Sequence, residues 1–267
     1  MANVVPELDH RALARRLDEA WDSRRPITPL SESAGLSSVD DAYRIQDAWT
    51  ELRVARGEQV VGRKIGLTSR AMQEAAGVYE PDFGALWSSR FVPACDERAE
   101  LPWETFIQPR LEGEIAFLLG RPLAGPDVTL DDALDATDAL AASFEVVDSR
   151  IIRKQFRLVD TVSDNASYGA FTLGPWDRGL TRTDLRTLGM LISRNDEIVV
   201  EGVGAASLGH PARAVAWLAN KLAEFGVALA PGDIVLSGSL GAAIPINRGD
   251  TFALELHSQP KLTFAFP

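Results

Sequence analysis

From Val60 to the C-terminus the chain breaks into short runs rich in β-branched and aromatic residues, each closed off by Gly, Pro, Asn or Asp. Runs at 60–67, 106–119, 143–151, 170–173, 187–193, 197–201, 233–237, 243–247, 251–256 and 262–266 read as strands. Two helical patterns interrupt them. One covers 130–141 behind a Thr129 cap; the other covers 211–225, where Pro211 opens the helix and Gly226 follows its end. Strands this numerous, without regular alternation of strand and helix, predict a mixed-sheet system rolled into a barrel-like form and not a doubly wound parallel sheet. Upstream, amphipathic helices are predicted at 9–24 and 39–56, the second with a Ser38/Asp41 capping pair, joined by a connector over 25–37 that holds Pro26, Pro29 and Gly35. The expected fold is therefore α+β, with an N-terminal helical region over 1–58 and a β-rich domain over 59–267.

The chain has 267 residues, 46% of them hydrophobic, which is enough for a large core without covalent staples. Cys95 stands alone, so no intramolecular disulfide forms. The first thirteen residues have neither the basic nor the apolar region of a secretory leader, and no run reaches the length of a membrane span. A cytoplasmic protein is expected. A net charge of −11 is the wrong sign for gripping nucleic acid or anionic lipid, although a local metal ion or lysine can still reverse the field inside one pocket.

The most informative run is Leu111-Glu112-Gly113-Glu114-Ile115-Ala116-Phe117-Leu118-Leu119. Period-two geometry puts Glu112 and Glu114 on one face of a strand and Leu111, Gly113, Ile115 and Phe117 on the other. Two adjacent anions in an enclosed site repel unless a cation sits between them, and carboxylate oxygens are hard ligands suited to Mg²⁺ or Mn²⁺. Glu145, embedded in Ser143-Phe144-Glu145-Val146-Val147-Asp148, is the best third ligand. Against this stands a plainer reading in which Glu-x-Glu marks a solvated strand face, and the usual exposure of Glu favours it on pattern alone.

Lys64 lies between Gly62 and Gly66. Glycines there permit close approach of a ligand or backbone, and a partly buried lysine serves as acid, base or anion anchor. A lysine guarding a sheet edge is the bland alternative. Glu80-Pro81-Asp82-Phe83-Gly84 reads as a turn, which leaves Asp82 either an acid or a turn former. Ser237-Gly238-Ser239-Leu240-Gly241 either presents backbone amides to a carboxylate or is a plain turn. His10, His210 and His257 lack metal-ligand spacing, and His210, just before Pro211, reads as a helix cap. No phosphate loop, nucleophile elbow or dinucleotide fingerprint occurs, so no nucleotide cofactor is implied.

Several of these segments together resemble the signatures of the fumarylacetoacetate hydrolase superfamily, in its hydratase and decarboxylase branch. They are Lys64-Ile65-Gly66-Leu67-Thr68-Ser69, Glu80-Pro81-Asp82-Phe83-Gly84, Pro109-Arg110-Leu111-Glu112-Gly113-Glu114, Phe144-Glu145-Val146-Val147-Asp148-Ser149-Arg150, Ser163-Asp164-Asn165-Ala166-Ser167 and Gly209-His210-Pro211. The resemblance implies a barrel-like roll with N-terminal helices and a divalent-metal-dependent hydro-lyase of aromatic meta-cleavage degradation. Its implied reaction adds water to 2-hydroxypenta-2,4-dienoate (2-keto-4-pentenoate) to give 4-hydroxy-2-oxopentanoate. A 4-oxalocrotonate decarboxylase, a 2-oxohept-4-ene-1,7-dioate hydratase and a non-catalytic partner subunit are the alternatives it leaves.

By the same resemblance Glu112, Glu114 and Glu145 are the ligands of Mg²⁺ or Mn²⁺, which reverses the surface reading. Lys64 is the active-site lysine, with Asp82 beside it in proton transfer, and Leu67, Ser163 and Ser239 border the substrate. The partners implied are a small anionic 2-hydroxydienoate or 2-oxoenoate and further copies of the chain, with a pathway aldolase or decarboxylase for some members; neither nucleic acid nor membrane is among them. One departure is visible: Gly113 separates the two acids where many members carry a larger residue.

Overall fold

The computed structural model describes residues 8–153 and 157–267. Its N-terminal layer consists of α1 (His10–Ser23), the single turn α2 (Leu30–Ser33) and α3 (Val39–Ala55). Both long helices begin where their caps dictate. The Asp9 carboxylate accepts the Ala12 N–H at 2.9 Å, and the Ser38 hydroxyl accepts the Asp41 N–H at 3.2 Å. Leu13, Leu17 and Trp21 of α1 and Ala42, Ile45 and Trp49 of α3 are buried, as their spacing predicts. The 25–37 connector is more ordered than expected: it contains α2, and the Ile27 N–H donates to the Arg150 carbonyl at 2.8 Å.

The rest of the chain runs β1 (Val60–Gly66), α4 (Arg70–Ala76), β2 (Asp82–Trp87), β3 (Arg98–Glu100), β4 (Arg110–Leu119), α5 (Leu130–Ala136), β5 (Thr137–Val147), α6 (Leu158–Ser163), β6 (Tyr168–Leu173), β7 (Gly189–Arg194), β8 (Glu197–Val203), α7 (Pro211–Ala223), β9 (Ile234–Leu236), β10 (Ile244–Pro245), β11 (Thr251–Leu256) and β12 (Leu262–Ala265). One sheet has the order β2-β1-β9-β4-β5-β6, with β10 added to β4, and mixes parallel and antiparallel pairs. Its outer strands come back together. The Tyr168 hydroxyl of β6 donates to the Trp87 carbonyl of β2 at 3.0 Å, so the sheet curls into the barrel-like roll expected. A second sheet, β3-β12-β11-β7-β8, packs behind it.

Several boundaries differ from the sequence reading. The helix over 130–141 stops at Ala136, because 137–147 pairs along the length of β4, and strand pairing overrides the helical preference of Ala and Leu. The 80–84 turn is instead the entry to β2, a strand buried at every position, which hides the alternation that marks a half-exposed strand. The short elements α4, α6 and β3 lay below what periodicity can detect.

Two glycines set how closely the layers approach. At Gly62 (φ +157°) a Cβ would fall 1.8 Å from the Ile234 carbonyl oxygen, so only glycine lets β9 pair here. At Gly113 a Cβ would meet Met190 Sδ at 2.5 Å, Ile192 Cδ1 at 3.0 Å and Leu254 Cδ1 at 3.2 Å, which brings the second sheet directly against the back of β4.

Arg150, fully buried, ties the helical layer to the roll. Its Nε donates to Asp164 Oδ1 at 2.6 Å, other guanidinium hydrogens go to the carbonyls of Asp148, Asp164 and Tyr168, and its plane lies 5.2 and 5.1 Å from the rings of Trp21 and Trp49. This anchor precedes an unusual turn. Asn165, Ala166 and Ser167 all have left-handed φ, +52°, +48° and +57°, a conformation that costs a non-glycine residue about 1–2 kcal/mol. Replacing Arg150 with Met leaves Asp164 buried without its cation. Urea unfolding of Arg150→Met is expected to show a loss of about 3–5 kcal/mol, and a loss under 1 kcal/mol would contradict this account.

Candidate active site

The site forms on the concave side of the roll, where β1, β4 and β5 carry charge inward. Glu112 and Glu114 share a face of β4, and Glu112 lies directly opposite Glu145 across the β4–β5 ladder. One oxygen from each of the three carboxylates lies within 4.8 Å of the others. Glu114 and Glu145 are fully buried, while Glu112 reaches the cavity. The Gly238 N–H donates to Glu114 Oε2 at 2.7 Å, so the 237–241 loop does present an amide to a carboxylate, one belonging to the protein itself.

Lys64 is on β1, an inner strand between β2 and β9, so it guards no edge. Its Nζ donates to the Ala166 carbonyl at 2.8 Å and lies 3.2 Å from Glu145 Oε1. The left-handed turn thus supplies an acceptor that no regular strand would place there. Asp82 sits at the start of β2, opposite Gly66, where a Cβ would come 2.2 Å from Asp82 Oδ1 and 3.6 Å from Lys64 Nζ. The absence of a side chain at position 66 is what lets the acid and the amine share this space.

Electrostatics follow from burial. Desolvation pushes the Glu114 carboxyl well above the usual range, and the charges of Glu145 and Glu112 push it further. Burial likewise raises Glu112, and raises Glu145 to about 7 against the pull of Lys64. Asp82 is held at about 6, again by burial with Lys64 opposing. Burial disfavours the Lys64 charge, but Glu145, Asp82, Glu112 and Glu114 outweigh it and hold the ammonium's pKa above its ordinary value. Glu114 Oε1 and Glu145 Oε2 have no hydrogen-bond donor. Three clustered carboxylates facing one lysine, with buried oxygens left unpartnered, make a donor set that fits a divalent cation.

A cavity of about 550 Å³ opens over this floor, lined by Lys64, Leu67, Asp82 and Glu112 and also by Arg110 and Arg153. Leu67 borders it with φ +55°. Ser163 and Ser239 do not: the Ser163 hydroxyl is buried in α6 and donates to the Asp160 carbonyl at 3.0 Å, and the Ser239 hydroxyl donates to Gly241 O at 2.8 Å within its own loop. His210 caps α7 as expected, its Nδ1 accepting the Ala212 N–H at 3.1 Å. The sequence reading gave no role to Arg110, Arg153 or the Ala166 carbonyl, and read Gly66 only as permitting close approach. Arg110 was within reach of it, since the period-two argument that pairs Glu112 with Glu114 also puts Arg110 on their face.

The Fumarylacetoacetate (FAA) hydrolase C-terminal family matches residues 66–266. A 2-hydroxypent-2,4-dienoate hydratase of Pseudomonas putida is 46% identical over 216 residues, 81% of this chain and 96% of that one. A 2-oxo-hept-4-ene-1,7-dioate hydratase of Escherichia coli is 38% identical over 263 residues, 96% of this chain and 97% of that one. Among solved structures, 4-oxalocrotonate decarboxylase from Pseudomonas putida G7, complexed with magnesium and adipate, superposes with a TM-score of 0.92 at 34% identity, covering 97% of each chain. No described helix is long and apolar enough to cross a membrane. Matched along nearly its whole length by these relatives, the chain belongs to the fumarylacetoacetate hydrolase family.

Proposed function

We propose that the chain is a cytoplasmic, divalent-metal-dependent hydratase of 2-hydroxydienoates, converting 2-hydroxypenta-2,4-dienoate to 4-hydroxy-2-oxopentanoate. The observation that carries this reading is the buried carboxylate cluster with its unpartnered oxygens beside Lys64. Relatives named as hydratases at 38% and 46% identity support it. The chemistry belongs to the β-rich part from residue 59 onward, from which the described residues of the cavity wall come, while the described helices before it pack against its outside.

Glu112, Glu114 and Glu145 would hold Mg²⁺, with Mn²⁺ as the alternative. When bound, the ion would supply Lewis acidity to the 2-oxo acid end of the substrate. The chain's own groups move the protons. Asp82, ionised above about pH 6, takes the proton from the 2-hydroxyl and returns it at C5 as the dienol becomes an enone. Lys64, kept charged by the acids around it, anchors the developing negative charge and donates to it. Water then adds across the double bond, its hydroxyl at C4 and its proton at C3. Leu67 keeps bulk water from one side of the carbon chain.

The structural likeness to a decarboxylase supports a second reading, loss of CO₂ from 2-oxohex-3-enedioate through the same charge stabilisation. An ultraviolet assay separates the two. EDTA-stripped protein is expected to consume 2-hydroxypenta-2,4-dienoate only after Mg²⁺ is added, with mass spectrometry identifying a water adduct; CO₂ from the diacid with no adduct from the dienoate would favour the decarboxylase. Glu114→Gln retains an acceptor for the Gly238 N–H, so it should fold normally while losing metal-dependent turnover. Unchanged turnover at saturating Mg²⁺ removes Glu114 from the ligand set. At saturating metal, kcat/KM is expected to fall about tenfold per pH unit below about pH 6 as Asp82 takes up its proton. Asp82→Asn should lower turnover by about 10²–10⁴-fold and abolish that acid limb. An acid limb that survives in the variant assigns it to another group.

A further inference from the structure

Glu114 has a support that the β4–β5 ladder does not provide. β9 ends at Leu236, and the chain then folds across the acid: the Ser237 N–H donates to the Ile115 carbonyl at 3.2 Å and the Leu240 N–H to the Gly113 carbonyl at 3.0 Å. Between these two bonds the Gly238 N–H turns to the side chain itself, Glu114 Oε2. Only glycine fits there: its φ is +92°, and a Cβ would lie 2.3 Å from Thr68 Oγ1 and 2.4 Å from Thr68 Cγ2. The same freedom makes this peptide easy to turn over, which would aim a carbonyl oxygen at Glu114 in place of the N–H. One side chain opposes that. Ser207, fully buried in the connection between β8 and α7, donates its hydroxyl to the Ser237 carbonyl at 2.6 Å. The Ser237 carbonyl and the Gly238 N–H belong to one trans peptide unit and point in opposite directions, so Ser207 and Glu114 grip the two ends of a single rigid plane. Ser207 is itself held in place. Its N–H donates to the Gly204 carbonyl at 3.1 Å, and the Leu208 N–H donates to the Thr68 carbonyl at 3.1 Å. Hydroxyl, peptide dipole and carboxylate run head to tail, an arrangement in which each hydrogen bond polarises the next.

We infer that Ser207 is a positioning residue for Glu114: through the Ser237–Gly238 peptide it keeps Oε2 occupied and leaves Oε1, buried and without a donor, as the one oxygen this acid offers a cation. The inference rests on the reading of the carboxylate cluster as a divalent-metal site, and adds what sets the selectivity of that site. A carboxylate restricted to one oxygen suits a small cation with strict octahedral demands such as Mg²⁺, whereas Ca²⁺ takes more oxygens and accepts a carboxylate through both. Removing the Ser207 hydroxyl lets the peptide turn and frees Oε2. The preference for the smaller ion then falls. A general loosening of the fold would weaken both ions alike.

Binding measurements test this without turnover. EDTA-stripped protein is titrated calorimetrically with Mg²⁺ and, separately, with Ca²⁺. Ser207→Ala is expected to bind Mg²⁺ about tenfold more weakly than the wild type while its Ca²⁺ affinity changes less than about threefold. Ser207→Thr, which keeps the hydroxyl, should retain the wild-type ratio of the two affinities. Thermal melting in EDTA establishes that each variant is folded. Hydrogen exchange on the metal-free wild type needs no variant at all: the Gly238 amide is expected to exchange at least about a hundredfold more slowly than an unprotected amide. An unchanged Mg²⁺ to Ca²⁺ ratio in Ser207→Ala, an equal loss of both ions, a folded Ser207→Thr that behaves like Ser207→Ala, or a freely exchanging Gly238 amide would each overturn the role of Ser207 and leave the hydratase reading intact. Failure of the wild type to bind either ion overturns the reading of the cluster as a metal site, and the role of Ser207 with it.

Discussion

A single buried cation holds the molecule's two halves in register. Arg150 lies between two tryptophans, one from each long N-terminal helix, and spends its hydrogens on Asp164 and on three carbonyls around the turn that follows. That turn runs left-handed over three consecutive residues, which the local chain would not choose. Its conformation is forced from both sides. Asn165 clamps β2 through its side chain, accepting the Ala85 N–H at 2.7 Å and donating to the Ala85 carbonyl at 2.9 Å. Between these anchors the Ala166 carbonyl is turned toward Lys64. The helical layer therefore does more than cover a core: through Arg150 it fixes the acceptor that orients the lysine.

The second organising constraint is unfavourable by itself. Three carboxylates, a fourth at Asp82 and one ammonium occupy a volume from which water is largely excluded, and burial raises every one of the acids. A fold tolerates such a cluster where the surrounding structure determines it strongly, and here the ladder does so: Glu112 and Glu145 are opposed residues of the two longest strands. The cost falls on stability and the benefit on binding. A cation entering the cluster would meet Glu114 Oε1 and Glu145 Oε2, two buried oxygens that no donor occupies.

Much of this was legible in the sequence, and the reasons are specific. The common face of Glu112 and Glu114 follows from strand geometry alone, and the caps at Ser38 and His210 follow from side-chain chemistry next to a helix start. What pattern could not decide was whether the acidic face looked at water or at other acids, because that depends on β5 lying opposite. The start of β5 itself was misread, since Thr137 to Ala142 is rich in alanine and only its partner strand makes it extended. The strand β2 was hidden for a related reason, although Asp82 itself was singled out: a strand buried on both faces, entered through a proline, has the local composition of a turn. Ser163 and Ser239 lie in segments near the cavity, but their hydroxyls are already committed to backbone carbonyls.

Gly113 puts a different boundary on the site. The strand that presents the acids on one face has nothing but hydrogen on the other at this point, and the second sheet has moved in to fill the space with the thioether of Met190 and the methyls of Ile192 and Leu254. Positions 113 and 190 are thereby one packing unit split across two sheets. Methionine, unbranched and adaptable, is the residue best able to yield when the other half of the unit grows. A lineage that enlarges residue 113 must trim residue 190 in step, or else push β4 forward and carry its acids with it, so the geometry of the carboxylates is governed from a wall that never touches substrate.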